Sequence, residues 1–188
     1  MQYLRIFFGI TLFLILPIIC SAENEAENLS LGIPIQLPEI GQPYIAEQFD
    51  SWALRCLRTN DPSDPCEMYQ LMLNEQNQPM SEISIFRLPK DSVVAAGANV
   101  IVPLETLLTE PLTIKYNKDK IKQYPFTFCN KVGCIARIGF SNEEVELMKM
   151  GKSVQVTVFH ISDTVNPITF SMSLKGFTAA YNNTTIMK

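Results

Sequence analysis

The sequence predicts a mostly β domain with one short helix, held together by two local disulfides. Three observations support this prediction. Apolar and polar residues alternate with period two in several short segments, as expected for strands with one buried and one solvated face. One segment, residues 141–151, has the end signals of a helix. Four cysteines remain after an N-terminal export signal, and an even count in an exported chain indicates disulfides.

The first 22 residues are typical of a cleavable secretory signal. Arg5 precedes an apolar run, Ile6–Ile19, and small residues follow in Cys20-Ser21-Ala22. The run is shorter than the roughly 20 apolar residues that a helix needs to cross a bilayer, and acidic sequence follows at once. We therefore predict export, with no stable transmembrane segment after cleavage. An uncleaved anchor is the alternative. A lipid anchor at Cys20 is disfavoured, because Ile19 stands where such a signal has a small residue.

Removal of residues 1–22 leaves 166 residues, enough for one domain with a sizeable core. We predict that this domain spans residues 49–188. Residues 23–48 are acidic at first and then punctuated by Pro34, Pro38 and Pro43, which disfavours a helix or a central strand. This segment is predicted to be an extended leader, either an edge strand or a mobile arm.

The charge of the chain is slightly acidic. Its net charge is −4, and removal of the signal takes away one basic residue and no acidic one, leaving −5. A nucleic-acid-binding protein normally carries a basic field that neutralises phosphates. The composition therefore predicts no nucleic-acid partner.

The cysteines after the signal are Cys56, Cys66, Cys129 and Cys134. Of the three connectivities, we favour Cys56–Cys66 and Cys129–Cys134, because each pair encloses turn-forming residues, at 60–65 and at 130–133. Loops of this size contribute about 2–3 kcal/mol each in the chain-entropy model. The spacing of the first pair is too wide for paired zinc ligands, and a Cys-x-x-Cys redox motif is absent from the sequence. We expect no metal and no cofactor.

The alternating apolar positions define the predicted strands. They are Trp52, Leu54 and Cys56; Ile83 and Ile85; Leu112, Ile114 and Tyr116; Val154, Val156 and Val158; and Ile168, Phe170, Met172 and Leu174. The last two groups predict a hairpin whose polar turn covers Ser162–Pro167. Short strands without regular helices between them favour a sandwich or a barrel over an α/β fold.

The predicted helix begins after Ser141 and ends at Gly151. Ser141 and Glu144 have the spacing of a capping box, in which each side chain accepts a hydrogen bond from the other residue's backbone. Acidic residues in the first turn also suit the helix dipole. The cap and the dipole together explain the carboxylates Glu143 and Glu144 without a metal site.

Four lysines, at positions 115, 118, 120 and 122, are the candidate binding surface that the sequence offers. Asp119 is the one acidic residue in the segment that holds Lys115, Lys118, Lys120 and Lys122. On an otherwise acidic chain they form a candidate site for anionic lipid or polysaccharide. The alternative is a solvated hairpin tip without a binding role.

His160 is the only histidine in the chain, and its parity continues the apolar face of Val154–Val158. Catalysis would need a nucleophile or carboxylate held against it, and the sequence shows none of the motifs that provide one. A structural histidine is therefore favoured, and we predict no catalytic residue.

The order of several short elements resembles the invasion-associated locus B family of Gram-negative exported proteins, over residues 52–180. The matching elements are Trp52 before Cys56, then Cys66, Val102-Pro103-Leu104, Cys129, Gly133-Cys134, residues 147–151, and residues 173–180 with Gly176 and Phe177. Glu105 stands where the family usually has glycine.

This resemblance implies an immunoglobulin-like β-sandwich, delivery to the periplasm or outer membrane and, for the founding members, a role in host-cell invasion. It implies no known enzymatic reaction. The matched residues Trp52, Pro103, Gly133, Gly176 and Phe177 are interpreted as scaffold, with a final strand over the last matched segment.

The leading hypothesis is a non-enzymatic exported binding or envelope module that contributes to host-cell association. Its expected partner is a protein or an envelope or host-surface component. Two alternatives stay open: a periplasmic enzyme or enzyme inhibitor that uses His160 or a cleft that the sequence does not show, and a periplasmic partner or chaperone of another exported protein.

Overall fold

The computed structural model describes residue 32 and residues 37–74 and 76–187. The predicted signal, 1–22, and most of the predicted leader lie outside the described residues. Contacts divide the chain into two units, residues 1–36 and 37–188, and every element below belongs to the second unit.

Eleven strands and two helices form within the described ranges. In chain order they are β1 (Pro43–Phe49), β2 (Trp52–Leu57), β3 (Cys66–Leu73), β4 (Pro79–Arg87), β5 (Ala96–Val102), β6 (Leu112–Lys115), β7 (Ile121–Tyr124), β8 (Phe128–Cys129), β9 (Cys134–Phe140), α1 (Asn142–Met150), β10 (Ser153–His160), β11 (Asp163–Ser173) and α2 (Phe177–Asn183).

All strand pairs are antiparallel, and the strands form one curled sheet in the order β7-β6-β10-β11-β3-β4-β5-β9-β8. Strand β2 adds to β3, and β1 adds to β2. The inner faces of both ends of the sheet contribute to one apolar core. The prediction of a mostly β, sandwich-like fold is therefore confirmed.

The two halves of the sheet meet where β11 reaches β3. Only one residue pair, Ser171 and Leu73, joins these strands. Beside this pair, the side chain of Gln70, which is 5% exposed, forms further hydrogen bonds between the two halves. Its amide nitrogen donates to the carbonyl oxygens of Ser173 (3.0 Å) and Ser51 (3.1 Å), and its amide oxygen accepts from the Ser173 N–H (2.8 Å). The Gln70 side-chain amide thus takes the place of a backbone peptide group in the hydrogen bonding between β3 and β11.

Trp52 fills the centre of the core beside this junction. It is fully buried, and its indole N–H donates to the Ser173 carbonyl at 2.9 Å. The Phe177 ring packs edge-on against it with centroids 5.6 Å apart, and Tyr181 stacks on Phe177 at 5.8 Å. Burying rings of this size provides much of the stabilisation of a small core.

Both predicted disulfides are present, and each joins residues directly opposite one another on neighbouring strands. Cys56–Cys66 joins β2 to β3, and Cys129–Cys134 joins β8 to β9. The local pairing predicted from the turn-forming residues is therefore confirmed.

Two details near the C-terminus differ from the sequence prediction. Residues 177–183 form α2 rather than the end of a final strand, because left-handed Gly176 (φ 82°) ends the extended backbone. The predicted turn at Ser162–Pro167 is mostly strand, since β11 already begins at Asp163. Pro167 is tolerated there because this part of β11 pairs with β10 alone.

Strand β1 begins in the segment interpreted as a leader and ends at Phe49, one residue beyond it. It is largely exposed and pairs only with β2, with a register shift between Ile45 and Glu47. Proline at position 43 and this irregularity are features that protect an open sheet edge from further pairing.

Helix α1 begins with the predicted capping box. The Ser141 hydroxyl accepts from the Glu144 N–H (3.3 Å), and the Glu144 carboxylate accepts from the Ser141 N–H (2.8 Å). Glu144 is fully buried. Its carboxylate also accepts from the Tyr124 hydroxyl and pairs with the Lys122 ammonium, both at 2.9 Å. Burial alone would raise the pKa of Glu144, but these partners lower it from 4.5 to about 2.

We expect Gly176→Ala to lower the free energy of unfolding by about 3 kcal/mol or more. A Cβ there would lie 2.1 Å from the Phe49 carbonyl oxygen, and the backbone is left-handed. Gly41→Ala is the matched control, because Gly41 is also left-handed (φ 85°) but has no heavy atom within 4 Å of the added Cβ. It should cost only about 1–2 kcal/mol. Equal losses in urea unfolding would contradict the steric account.

We expect Glu144→Gln to remove an acid-dependent part of the stability. The native pKa lies below the unfolded one, so the unfolded state binds more protons between pH 4.5 and about 2. Stability from Glu144 is therefore complete above this window and falls as the pH drops through it, by roughly 3 kcal/mol. Urea unfolding at a series of pH values should show this loss in the wild type but not in Glu144→Gln.

Glu146→Gln is the control for this experiment, because Glu146 is exposed and pairs with Lys149 at the surface. It should keep the pH dependence of the wild type. A Glu144→Gln curve that falls with acid as steeply as the wild-type curve would contradict the assignment.

Candidate functional site

The four predicted lysines lie on the β6–β7 hairpin, but they divide into two kinds. Lys120 pairs with Glu143 and Lys122 with Glu144, each at 2.9 Å, so both are tied to α1. Lys115 and Lys118 are exposed and have no ion pair within the described residues. The hairpin therefore presents two uncommitted ammonium groups rather than four.

His160 ends β10 beside the 103–110 loop. Its Nε2 lies 3.2 Å from the Glu105 carboxylate, and its Nδ1 accepts from the Ser162 N–H. Glu105 has φ 68°, in the left-handed region where glycine is favoured. Glu105 thus holds a backbone conformation that favours glycine, with its carboxylate beside the imidazole.

The scaffold residues of the sequence analysis lie in the core or at close approaches. Trp52 and Phe177 are fully buried. A Cβ on Gly133 would lie 2.3 Å from the Val102 carbonyl oxygen, so this turn requires glycine. Pro103 follows β5, and its carbonyl accepts from the Thr106 hydroxyl at 2.7 Å. Neither these four residues nor Gly176 contributes a reactive group.

A different surface brings functional side chains together: the outer face of β2, β3, β4, β5 and β9. Antiparallel pairing aligns outward residues in rows across these strands. One row contains Tyr69, Ser84, Asn99 and Arg137, and the next contains Leu71, Glu82, Ile101, Ile135 and Phe128. We call this surface, together with Arg55 and Glu67, the outer face.

Part of the outer face is a closed polar network. Arg55 forms a salt bridge with Glu67 at 2.6 Å, and its guanidinium lies 4.1 Å from the centroid of the Tyr69 ring. The Tyr69 hydroxyl donates to Glu82 at 2.9 Å. Burial, and then this hydrogen bond, raise the pKa of Tyr69 to about 12. These four residues hold one another in place.

The rest of the polar row has no such partners. Within residues 37–74 and 76–187, the side chains of Ser84, Asn99 and Arg137 form no hydrogen bond or ion pair with another group. All three line a cavity of about 340 Å³. A second cavity of about 170 Å³ adjoins it, sharing Glu82 and Ile101, and is mostly apolar. The outer face thus presents free donors beside an apolar surface.

One side of the outer face is closed by apolar packing. The Phe86 ring lies where a Cβ on Gly97 would be, at 2.5 Å, and Val94 covers Gly139 in the same way at 3.1 Å. A ligand in the larger cavity would therefore contact the two rows described above rather than the row with these glycines.

The outer face was not predicted from the sequence. The alternation places Tyr69, Ser84 and Arg137 on outward positions, which is a usable signal. Their alignment depends on the registers of three strand pairs, and a shift by one residue would separate them.

The described residues contain neither a metal-binding cluster nor a membrane-spanning helix. No group of three or more histidine, cysteine or acidic side chains there could hold a metal ion. Neither described helix is long and apolar enough to cross a membrane.

Comparisons with known proteins agree on one family. The family model described as "Invasion associated locus B (IalB) protein" matches residues 52–185. Two proteins named "Invasion protein B homolog", from Brucella abortus strain 2308 and from biovar 1 strain 9-941, are each 25% identical over 142 residues. Each alignment covers 74% of this chain and 79% of the relative.

A solved structure has the same fold. The crystal structure of invasion associated protein B from Bartonella henselae superposes with a TM-score of 0.60 and 24% identity, covering 72% of this chain and 91% of that chain. The family model covers most of the described domain, from Trp52 at the start of β2 to Thr185 after α2. The chain belongs to the invasion associated locus B family.

Proposed function

We propose that the protein is an exported binding module of the bacterial envelope, without enzymatic activity, that contributes to the association of the bacterium with host cells. The binding surface in this proposal is the outer face. The observation that carries it is the row Ser84, Asn99 and Arg137, whose side chains have no hydrogen-bond or ion-pair partner among the described residues and line one cavity.

Two further observations support an exported binding role. The disulfides Cys56–Cys66 and Cys129–Cys134 are suited to an oxidising compartment such as the periplasm or the cell surface. The Brucella relatives are named as homologues of an invasion protein.

A rigid support also favours binding at the outer face. Strands β4 and β5, which carry Ser84 and Asn99, have neighbours on both edges, and the inward side chains of β4, β5 and β9 are buried in the core. Side chains on such a support can be held in a fixed arrangement, which lowers the entropic cost of binding.

The proposal predicts the outcome of a complementation experiment. A strain lacking the gene should associate less with host cells, and the wild-type gene should restore association. Arg137→Glu should restore it poorly, because the substitution replaces the cavity guanidinium that is unpaired among the described residues with a carboxylate. The measurement is the number of cell-associated bacteria, with equal protein levels verified in the periplasm.

Lys152→Glu is the matched control, since Lys152 is exposed, has no ion pair among the described residues, and lies outside the outer face. It should complement fully. Unchanged host-cell association in the deletion strain would overturn the proposal. Failure of a Lys115→Glu, Lys118→Glu variant, with full complementation by Arg137→Glu, would instead assign the function to the lysine hairpin.

A further inference from the structure

We propose that the larger cavity of the outer face binds a saccharide that carries a carboxylate, with the carboxylate held by Arg137. This inference rests on the proposed function, because it names the ligand class of the same surface. The evidence is which side chains around the cavity have hydrogen-bond or ion-pair partners among the described residues and which do not.

Arg137 differs from the other arginines of the described residues. Arg55 pairs with Glu67, Arg58 pairs with Asp64, and Arg87 donates to the Thr184 carbonyl. Arg137 has no partner of this kind in the same part of the chain, although it lines a cavity. A guanidinium presents parallel N–H donors that match the two oxygens of a carboxylate. The guanidinium of Arg137 is therefore available to bind a carboxylate.

Asn99 and Ser84 extend the site beyond the guanidinium. Asn99 lies opposite Arg137, and Ser84 lies opposite Asn99 on the next strand. Neighbouring strands are about 4.7–4.9 Å apart, so the row spans roughly 10 Å. A hydroxyl and a carboxamide can each both donate and accept hydrogen bonds. This combination suits a ligand with several hydroxyl groups next to its carboxylate.

The opposite side of the cavity provides acceptors and an apolar surface. Glu82 uses one carboxylate oxygen to accept from Tyr69, which leaves the other for a ligand hydroxyl. The exposed ring of Phe128 and the side chain of Ile135 also line the cavity and offer an apolar contact to the carbon face of a sugar ring. A volume of about 340 Å³ is at the small end of the range for ligand pockets. It favours recognition of one or two sugar units.

The topology favours a saccharide over an extended peptide. Peptides that bind to sheets commonly add a strand through backbone hydrogen bonds at an open edge. Around Ser84 and Asn99, strands β4 and β5 have partners on both sides, so their backbone groups are already paired. Strand β8 covers the other edge of β9 only at Cys134 and Ile135. Recognition at Ser84 and Asn99 therefore uses side chains, as a small hydroxylated ligand allows.

The test uses the full chain expressed with its own signal, purified with intact disulfides and labelled for amide chemical-shift titrations. The probes are 3′-sialyllactose and digalacturonic acid, which carry carboxylates of two sugar types, and neutral lactose. We expect at least one acidic probe to shift amides of β4, β5 and β9, and lactose to bind at least tenfold more weakly. Comparison of the two acidic probes distinguishes a sialic acid from a uronic acid ligand.

Arg137→Gln should weaken binding of the acidic probe at least tenfold, whereas Lys152→Gln removes the same charge elsewhere and should leave it unchanged. Amide spectra of both variants establish that the fold is intact. Three results would overturn the inference: no shifts with either acidic probe up to its solubility limit, equal binding of lactose, or wild-type affinity in Arg137→Gln.

The saccharide inference and the proposed function can fail separately. Loss of host-cell association in Arg137→Glu without binding of any acidic probe would overturn the saccharide and keep the outer face as the binding surface. Binding of an acidic probe by a protein whose deletion leaves host-cell association normal would overturn the proposed function and keep the saccharide site.

Discussion

Gln70 joins the two halves of the sheet at the point where their backbone ladder is reduced to one residue pair. Its amide donates to Ser51 and Ser173 and accepts from Ser173, so it satisfies buried backbone groups that the divergence of β11 from β3 would leave unpaired. Trp52 donates to the same Ser173 carbonyl and packs against Phe177. One polar side chain on the buried face of β3 therefore fixes where the sandwich closes.

The outer face depends on this closure. Successive side chains of a strand point to opposite faces of the sheet, so β3, β4, β5 and β9 direct one set of side chains into the core and the other set to the outer face. The inward set, which includes Ile83, Val100 and Ala136, is buried. Cys129–Cys134 fixes β8, with Phe128, against the edge of β9. The free row of Ser84, Asn99 and Arg137 is thus presented by strands that have little freedom to rearrange.

The sequence predicts what depends on local signals. The alternation at Val154–Val158, the capping box at Ser141 and the pairing of cysteines across turn-forming residues need only neighbours in the chain. Helix α2 escaped detection because seven residues are too few to establish a helical period. The Lys122–Glu144 pair and the row through Arg137 depend on strands and a helix that meet only in the fold. Gln70 has a local signal, a polar residue on an apolar face, but its partners are 19 and 103 residues away.

The central claim is that the Gln70 amide holds the sandwich closed. The direct test is the free energy of unfolding of Gln70→Leu in urea, followed by the fluorescence of Trp52, the only tryptophan in the chain. Leucine has a similar volume but leaves the Ser173 N–H without its partner and removes one donor each from the Ser51 and Ser173 carbonyls, of which Ser173 keeps the Trp52 N–H, so stability should fall by about 3 kcal/mol. Gln48→Leu, on exposed β1, is the control and should change it little. A Gln70→Leu protein as stable as the wild type would contradict the account.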